Sequence, residues 1–171
     1  NLEFGISNGA APEHSVVVRY GNLVHPVHYS DPTGRHSVRA ELGVSDRPLI
    51  AMVSRLEPVK LVVDVVDVLR KVVDEVPDAV CCLAGDGSQR SDLEDAAQAA
   101  GIRDRLLLVG NRPQEWIAGL IADADVLLAT CLGRALVESC LSGTPVVAYD
   151  YEWHTELLMN ELTGQVVPAG E

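Results

Sequence analysis

Pro48-Leu-Ile-Ala-Met-Val53 and the stretch from Glu57 to Val76 that follows it decide the fold. The first is an apolar run of strand length. In the second, Val62, Val65, Val66, Leu69, Val72, Val73 and Val76 keep the i, i+3, i+4, i+7 spacing of one helix face. Valine is a mediocre helix former, but Asp64, Asp67, Arg70, Lys71, Asp74 and Glu75 break any period of two, so the period predicts a helix from about Glu57 to Val76. A strand joined to an amphipathic helix is half of a βαβ unit, and the unit recurs downstream.

Asp78 to Ala84 reads as the next strand, stopped by Gly85-Asp86-Gly87, and Ser88 to Ala100 as a helix with Gly101 at its end. Arg105 to Val109 is a third strand, ended by Gly110, and Pro113 to Ala122 a helix with proline in its first turn. Ala124 to Ala129 is a strand and Arg134 to Leu141 a helix. Val146 to Tyr149, a short helix near Thr155 to Asn160 and a strand from Gln165 to Pro168 complete the series. Strands alternating with helices in this way predict an α/β fold: a doubly wound, Rossmann-like parallel sheet with helices on both faces, in a single domain. Residues 46–171 form that domain. Residues 1–45, where Gly, Pro, His and Asn crowd around Ser15-Val-Val-Val-Arg19, are expected to be an interdomain connection and a first edge strand.

Composition agrees with this pattern. The 171 residues suit one domain rather than two large lobes. Although 47% of the chain is hydrophobic, only 4% is aromatic, so the core must be built from Val, Leu, Ile and Ala, as in strands buried on both faces. Disorder, collagen-like repeats and a disulfide miniprotein are excluded, and no apolar run reaches the roughly 18 residues of a membrane span. The first residues have neither a basic nor an apolar region, so no signal peptide is expected. A formal charge of −12 makes the chain a poor partner for nucleic acid or anionic lipid. It leaves room for a small phosphorylated ligand wherever a few cations dominate a cleft. Cys81 and Cys82 should point to opposite faces of a strand; with Cys131 and Cys140 they read as reduced thiols of a cytoplasmic protein.

In a doubly wound sheet, ligands sit beyond the carboxyl ends of the strands. Arg55 and Lys60 stand just after the first strand and can converge on a diphosphate, the arginine as a bidentate fork and the lysine as a point charge; equally, both can be solvated at the start of a helix. Glu138 lies a turn into a helix that starts at Gly133. Its carboxylate suits the hydroxyls of a ribose, or serves only to complement the helix dipole. Gly85-Asp86-Gly87 suits a chain reversal. Among the histidines, His25-x-x-His28 lacks further zinc ligands, and His14, His36 and His154 read as ordinary surface residues, so no metal is expected. The fingerprints of dinucleotide sites, P-loops and hydrolase elbows are missing.

Taken in order, these segments resemble the C-terminal, donor-binding domain of GT-B fold glycosyltransferases of the family 4 group. The resemblance runs from about Val16 to Pro168. Val53-Ser-Arg-Leu-Glu-Pro-Val-Lys60 is similar to the family's G-R-L-x-x-x-K-G, and Leu83-Ala-Gly-Asp-Gly87 with Arg90 and Leu93 to its V-G-D-G-P-x-R-x-x-L. Leu108-Val-Gly-Asn-Arg-Pro113 resembles the segment before the helix that faces the nucleobase. Ala124-Asp-Val-Leu-Leu128, Gly133-x4-Glu138, Ser142 to Ala148, Glu156 and Thr163-Gly164-x-Val-Val-Pro168 follow. Each motif alone is weak; in order they are specific.

The resemblance implies an enzyme that transfers a hexosyl group from a nucleotide sugar with retention of configuration, without cofactor or metal. Arg55 and Lys60 match the pair that contacts the diphosphate, and Glu138 the glutamate that binds the donor ribose. The backbone at Gly85 falls in the donor site, Arg112 borders the base, and the N–H groups near Gly133 and Arg134 face phosphate or sugar. Three positions depart from the pattern. Thr130 stands where the family has the first glutamate of E-x7-E, which contacts the transferred sugar, Ser54 replaces the glycine before Arg55, and Leu61 replaces the glycine after Lys60. The resemblance also implies a partner lobe, an N-terminal domain that binds acceptor and makes any membrane contact, with the full-length protein in the cytoplasm or at the inner face of the membrane. The chain should then be one lobe, ending before the helices that cross back, able to bind nucleotide weakly but inactive alone. Two other functions fit less closely: a UDP-sugar 2-epimerase of the same fold, whose acid–base residues find no match here, and a degenerate interaction module, suggested by Thr130.

Overall fold

The computed structural model describes residues 11, 37–131, 133–151, 154–158 and 164–169. Six strands, β1 (Leu49–Val53), β2 (Val80–Ala84), β3 (Leu106–Gly110), β4 (Val126–Ala129), β5 (Val146–Tyr149) and β6 (Gly164–Val167), form one sheet. Its order is β3-β2-β1-β4-β5-β6 and every pairing is parallel. This is the doubly wound order, and it reverses direction between β1 and β4, the switch point where a crevice opens.

Among the described residues six α-helices accompany the strands: α1 (Arg39–Leu42), α2 (Asp64–Glu75), α3 (Arg90–Ala99), α4 (Gln114–Asp123), α5 (Arg134–Ser142) and α6 (His154–Leu157). The sheet separates two apolar layers. Leu49, Ala51, Cys82, Leu127 and Ala148 pack with Leu120 and Ile121 of α4 and Leu136 of α5. Ile50, Met52, Cys81 and Leu83 pack on the other face with Val65, Val66 and Leu69 of α2 and Leu93 of α3. Strand residues alternate between the layers because successive side chains leave a strand on opposite sides, and Cys81 and Cys82 divide as expected. Each fully buried Leu or Ile stabilises the fold by about 1.5–3 kcal/mol relative to exposure. Burial pushes the Cys82 thiol up to about 12 and raises that of Cys81 further, so both are inert, apolar core residues.

Several boundaries differ from the sequence reading. The helix expected from Glu57 begins at Asp64 instead. Pro58–Lys60 form a single 3-10 turn, and Leu61 takes a left-handed conformation (φ 51°, ψ 34°) that stops it. Leu61 is the one non-glycine residue with positive φ among those described. It is placed where the family has glycine, and its apolar side chain hides the break from any periodicity. Pro113 is the N-cap of α4, in extended conformation (ψ 160°), rather than a residue of its first turn. His154 is fully buried, not superficial, with Nδ1 2.7 Å from the Tyr149 carbonyl at the end of β5. The strand expected at Ser15–Arg19 and the histidines His14, His25, His28 and His36 lie outside the described residues, as does Thr163. Within 37–45 the chain forms α1, held by Asp123 Oδ2, which accepts hydrogen bonds from the backbone N–H groups of Val38 (2.7 Å) and Arg39 (3.2 Å).

Candidate functional site

A cleft of about 430 Å³ opens at the switch point, beyond the carboxyl ends of β1 and β4. Arg55 and Lys60 reach it from the loop after β1, and Gly85 from the end of β2. Arg112 comes from the loop after β3, and Thr130, Gly133, Arg134 and Glu138 from the end of β4 and from α5. The eight residues singled out in the sequence therefore share one cavity, because each follows a strand and the strands are parallel.

Backbone hydrogen bonds stitch the loops that form its floor. Ser54 N–H donates to the Ala84 carbonyl (3.0 Å), Leu56 N–H to that of Asp86 (3.0 Å), and Gly85 N–H to that of Gly110 (2.9 Å). Gly85 has φ +138°, and a Cβ there would lie 1.8 Å from the Ser54 carbonyl oxygen; one at Gly87 would lie 2.5 Å from that of Leu56. The Gly-Asp-Gly turn thus does more than reverse the chain: its missing side chains let the Ser54–Leu56 backbone lie against it. Glu57 adds a polar clasp. Its carboxylate accepts from Ser88 Oγ (2.8 Å) and Ser88 N–H (3.3 Å). The Ser88 hydroxyl first, then the Ser88 N–H, with Arg55 nearby, hold its pKa below the ordinary carboxylate range.

The cationic side of the cleft is built from Arg55 and Lys60. Arg55 is exposed, and no carboxylate among the described residues lies within ion-pair distance of it. Lys60 is half-buried, with Nζ 3.9 Å from Cys131 Sγ. Thr130 is 7% exposed and its Oγ1 donates to the Lys60 carbonyl at 2.7 Å. Where the resemblance implies a carboxylate, this chain has a hydroxyl that ties the end of β4 to the lysine turn. Cys131 was not a candidate in the sequence; its place beside Lys60 follows from the pairing of β1 with β4 and carries no local signal.

Opposite them, α5 points its N-terminus at the cleft. Gly133 is its N-cap and carries no side chain to cap it; Leu136 N–H returns to the Gly133 carbonyl (3.3 Å), and the N–H groups of Arg134 and Ala135 head the helix, the end of its dipole that favours an anion. Glu138 is 2% exposed, deep inside this end. A buried carboxylate needs partners, and two meet it at one oxygen: Gln114 Nε2 donates to Oε1 at 3.0 Å, and Arg134 Nε lies 3.2 Å from the same atom. Arg112, at the far edge, lies over the Trp116 ring (4.9 Å from its centroid) and 3.7 Å from Glu41 of α1. Trp116 Nε1 donates to the same carboxylate at 2.9 Å. No group of three or more metal-ligating side chains occurs among the described residues, and no helix among them is long and apolar enough to cross a membrane.

A six-stranded parallel sheet of this order, with Arg55, Lys60 and the N-terminus of α5 lining a cleft at its switch point, defines a Rossmann-like domain. More specifically, the chain belongs to the glycosyl transferases group 1 family, whose model it matches over residues 35–171. The structure superposes on that of Anabaena HepE in complex with UDP-glucose with a TM-score of 0.85 and 27% identity, covering 99% of this chain and 48% of that one. Among curated relatives, alpha-D-kanosaminyltransferase of Streptomyces kanamyceticus is 30% identical over 138 residues, 78% of this chain and 36% of the relative. The 2-deoxystreptamine glucosyltransferase of the same organism is 36% identical over 106 residues, 60% of this chain and 27% of the relative. The chain thus spans about a third of these curated relatives and about half of the solved structure.

Proposed function

We propose that the cleft holds the nucleoside diphosphate of a sugar donor, and that the chain is the donor-binding lobe of a retaining glycosyltransferase that moves a hexosyl group. One observation carries this reading: Arg55, Lys60 and the N-terminus of α5 converge on one cleft with a buried carboxylate, Glu138, behind the helix start. The two cations and the helix N–H groups suit the diphosphate, and Glu138 suits the ribose hydroxyls. Arg112 borders the nucleobase. Gly85 leaves room for the donor at the floor, and Thr130 lies toward the transferred sugar.

In the transfer, the bond from the anomeric carbon to the diphosphate oxygen breaks as the bond to the acceptor oxygen forms, and the acceptor hydroxyl gives its proton to the departing diphosphate. Negative charge builds on the departing diphosphate. Arg55, Lys60 and the α5 dipole meet that charge in a partly enclosed cleft, where it is worth more than in water, and in this reading they do so with neither metal nor cofactor. The likeness to HepE with UDP-glucose over nearly the whole chain supports a nucleotide-sugar donor.

The acceptor would be bound by a lobe outside this chain, in keeping with its span of 36% of the kanosaminyltransferase; this lobe alone would not transfer sugar. Any membrane contact would belong to that other lobe, and nucleic acid is not a partner. The four free cysteines support a cytoplasmic setting. The test is calorimetry of UDP, GDP and ADP against wild type and Glu138→Ala. Losing charged hydrogen bonds should weaken the preferred nucleotide by about 1.5–3 kcal/mol, and an unchanged affinity would remove Glu138 from the site.

A further inference from the structure

Gln114, the first residue of α4, joins the two sides of the Glu138 pocket although no recognised motif contains it. Its Nε2 donates to Glu138 Oε1 at 3.0 Å, and its Oε1 accepts from Arg134 Nη2 at 2.8 Å. Arg134 Nε closes the ring at 3.2 Å from Glu138 Oε1. A carboxylate only accepts and a guanidinium only donates, so one orientation of the amide alone satisfies both neighbours. The ring therefore has a direction, set by chemistry.

Its consequence concerns the plane of the carboxylate. The terminal torsion of a glutamate is broad and easily turned. Both contacts fall on Oε1 and neither on Oε2, which restrains that torsion and sets the two oxygens apart, Oε1 held in the ring and Oε2 outside it. A vicinal diol reads a carboxylate through two directed hydrogen bonds, so its recognition depends on that plane being fixed. Resting on the nucleotide reading above, we propose that Gln114 is a positioning residue that, with Arg134, orients the Glu138 carboxylate. It thereby sets how strongly the cleft prefers a ribonucleoside diphosphate to its 2′-deoxy counterpart.

The experiment pairs each of UDP, GDP and ADP with its 2′-deoxy analogue, with inorganic pyrophosphate as a phosphate-only probe. Binding is measured by calorimetry on wild type, Glu138→Ala, Gln114→Leu and Gln114→Glu. The tightest wild-type pair should differ by about tenfold in favour of ribose, equivalent to about 1.4 kcal/mol. Gln114→Leu should bring that ratio below about threefold while pyrophosphate affinity stays within about twofold, because Arg55, Lys60 and the backbone N–H groups of α5 lie outside this ring of side chains.

Gln114→Glu adds a readout that a merely structural residue would not move. Glu138 and Arg134 of α5 contact position 114, and the other charged groups lining the same cleft are Arg112, Arg55 and Lys60 on its loops. At neutral pH the new carboxylate repels Glu138. Toward about pH 5 a shared proton restores a donor where the amide stood, and the ribose preference should return. Titration of the ligand's phosphates cancels between paired nucleotides, so the wild-type ratio over the same range is the reference for that response. Loss of preference in Glu138→Ala with full preference in Gln114→Leu would overturn the inference and leave the nucleotide site standing. An unchanged ratio in Glu138→Ala, or no binding of any nucleotide by wild type, would overturn both. If Gln114→Leu does not fold, the pH response of Gln114→Glu decides, and no recovery at acid pH would overturn the proposal.

Discussion

Replacing Gly85 with alanine tests how the floor of the cleft is built. The new Cβ would sit 1.8 Å from the Ser54 carbonyl oxygen and 2.8 Å from its carbon. Ordinary contacts of this kind are about 3.5 Å, so the loop carrying Ser54 and Arg55 must retreat by more than an ångström or the end of β2 must shift. Backbone cannot yield as a flexible side chain does, because Ser54 N–H is bonded to Ala84 and Gly85 N–H to Gly110 on either side of the clash. Overpacking costs about 1–3 kcal/mol, and holding alanine at φ +138° adds about 1–3 kcal/mol. The sum, about 2–6 kcal/mol, is a large part of a typical stability of about 5–15 kcal/mol. For a chain of this size each kcal/mol moves the melting temperature by about 2–4 °C, so a drop on the order of 10 °C is expected in thermal unfolding followed by circular dichroism.

Gly101→Ala is the matched control. It also has positive φ (+70°), but nothing lies within 4 Å of the added carbon, so it should lose only about 1–2 kcal/mol. Gly85→Ala should also weaken pyrophosphate binding, since Arg55 moves with the loop, whereas Gly101→Ala should not. A Gly85→Ala protein that melts with its control and binds pyrophosphate as wild type does would refute the reasoning.

Thr130→Val removes the Oγ1 bond to the Lys60 carbonyl at constant volume. It should cost about 0.5–1.5 kcal/mol by denaturant titration and weaken pyrophosphate binding as the lysine turn loosens; wild-type values in both would contradict the anchoring role. Thiol alkylation followed by mass spectrometry should modify Cys131 and spare Cys81 and Cys82, which are buried with raised pKa values, and bound nucleotide should protect Cys131. The lowered pKa of Glu57 means that its clasp on Ser88 contributes stability above the ordinary carboxylate value of about 4.3, lost as pH falls through the folded value. In an NMR titration, Ser88→Ala should return Glu57 to the ordinary range, and an unmoved titration would remove Ser88 as the cause.

How far the site could be read in advance depended on whether its signal was local. Parallel strands place every loop that follows a strand at one edge, so recognising β1, β2, β3 and β4 sufficed to gather Arg55, Gly85, Arg112 and Glu138. The alternation of Cys81 and Cys82 was equally local, set by the pleat. Leu61 shows the opposite case: an apolar residue in helical register conceals a left-handed backbone, and α2 starts later than its periodicity says. Contacts between distant segments left no mark at either end. Thr130 meets Lys60 across the β1–β4 pairing, Gln114 meets Arg134 and Glu138 across the α4–α5 packing, and His154 folds back on the end of β5. What these side chains do follows from the sheet order, which no single stretch of the sequence contains.

The central claim, that Arg55 and Lys60 make this cleft a diphosphate site, is met most directly by calorimetric titration of UDP, GDP and ADP into wild type and an Arg55→Ala/Lys60→Ala double variant. Removing two charge-assisted contacts should weaken the preferred nucleotide by about 3–6 kcal/mol, at least a hundredfold, with the melting temperature little changed because Arg55 is exposed and Lys60 half-buried. Undiminished binding in the double variant, or no binding by wild type at millimolar nucleotide, would contradict it.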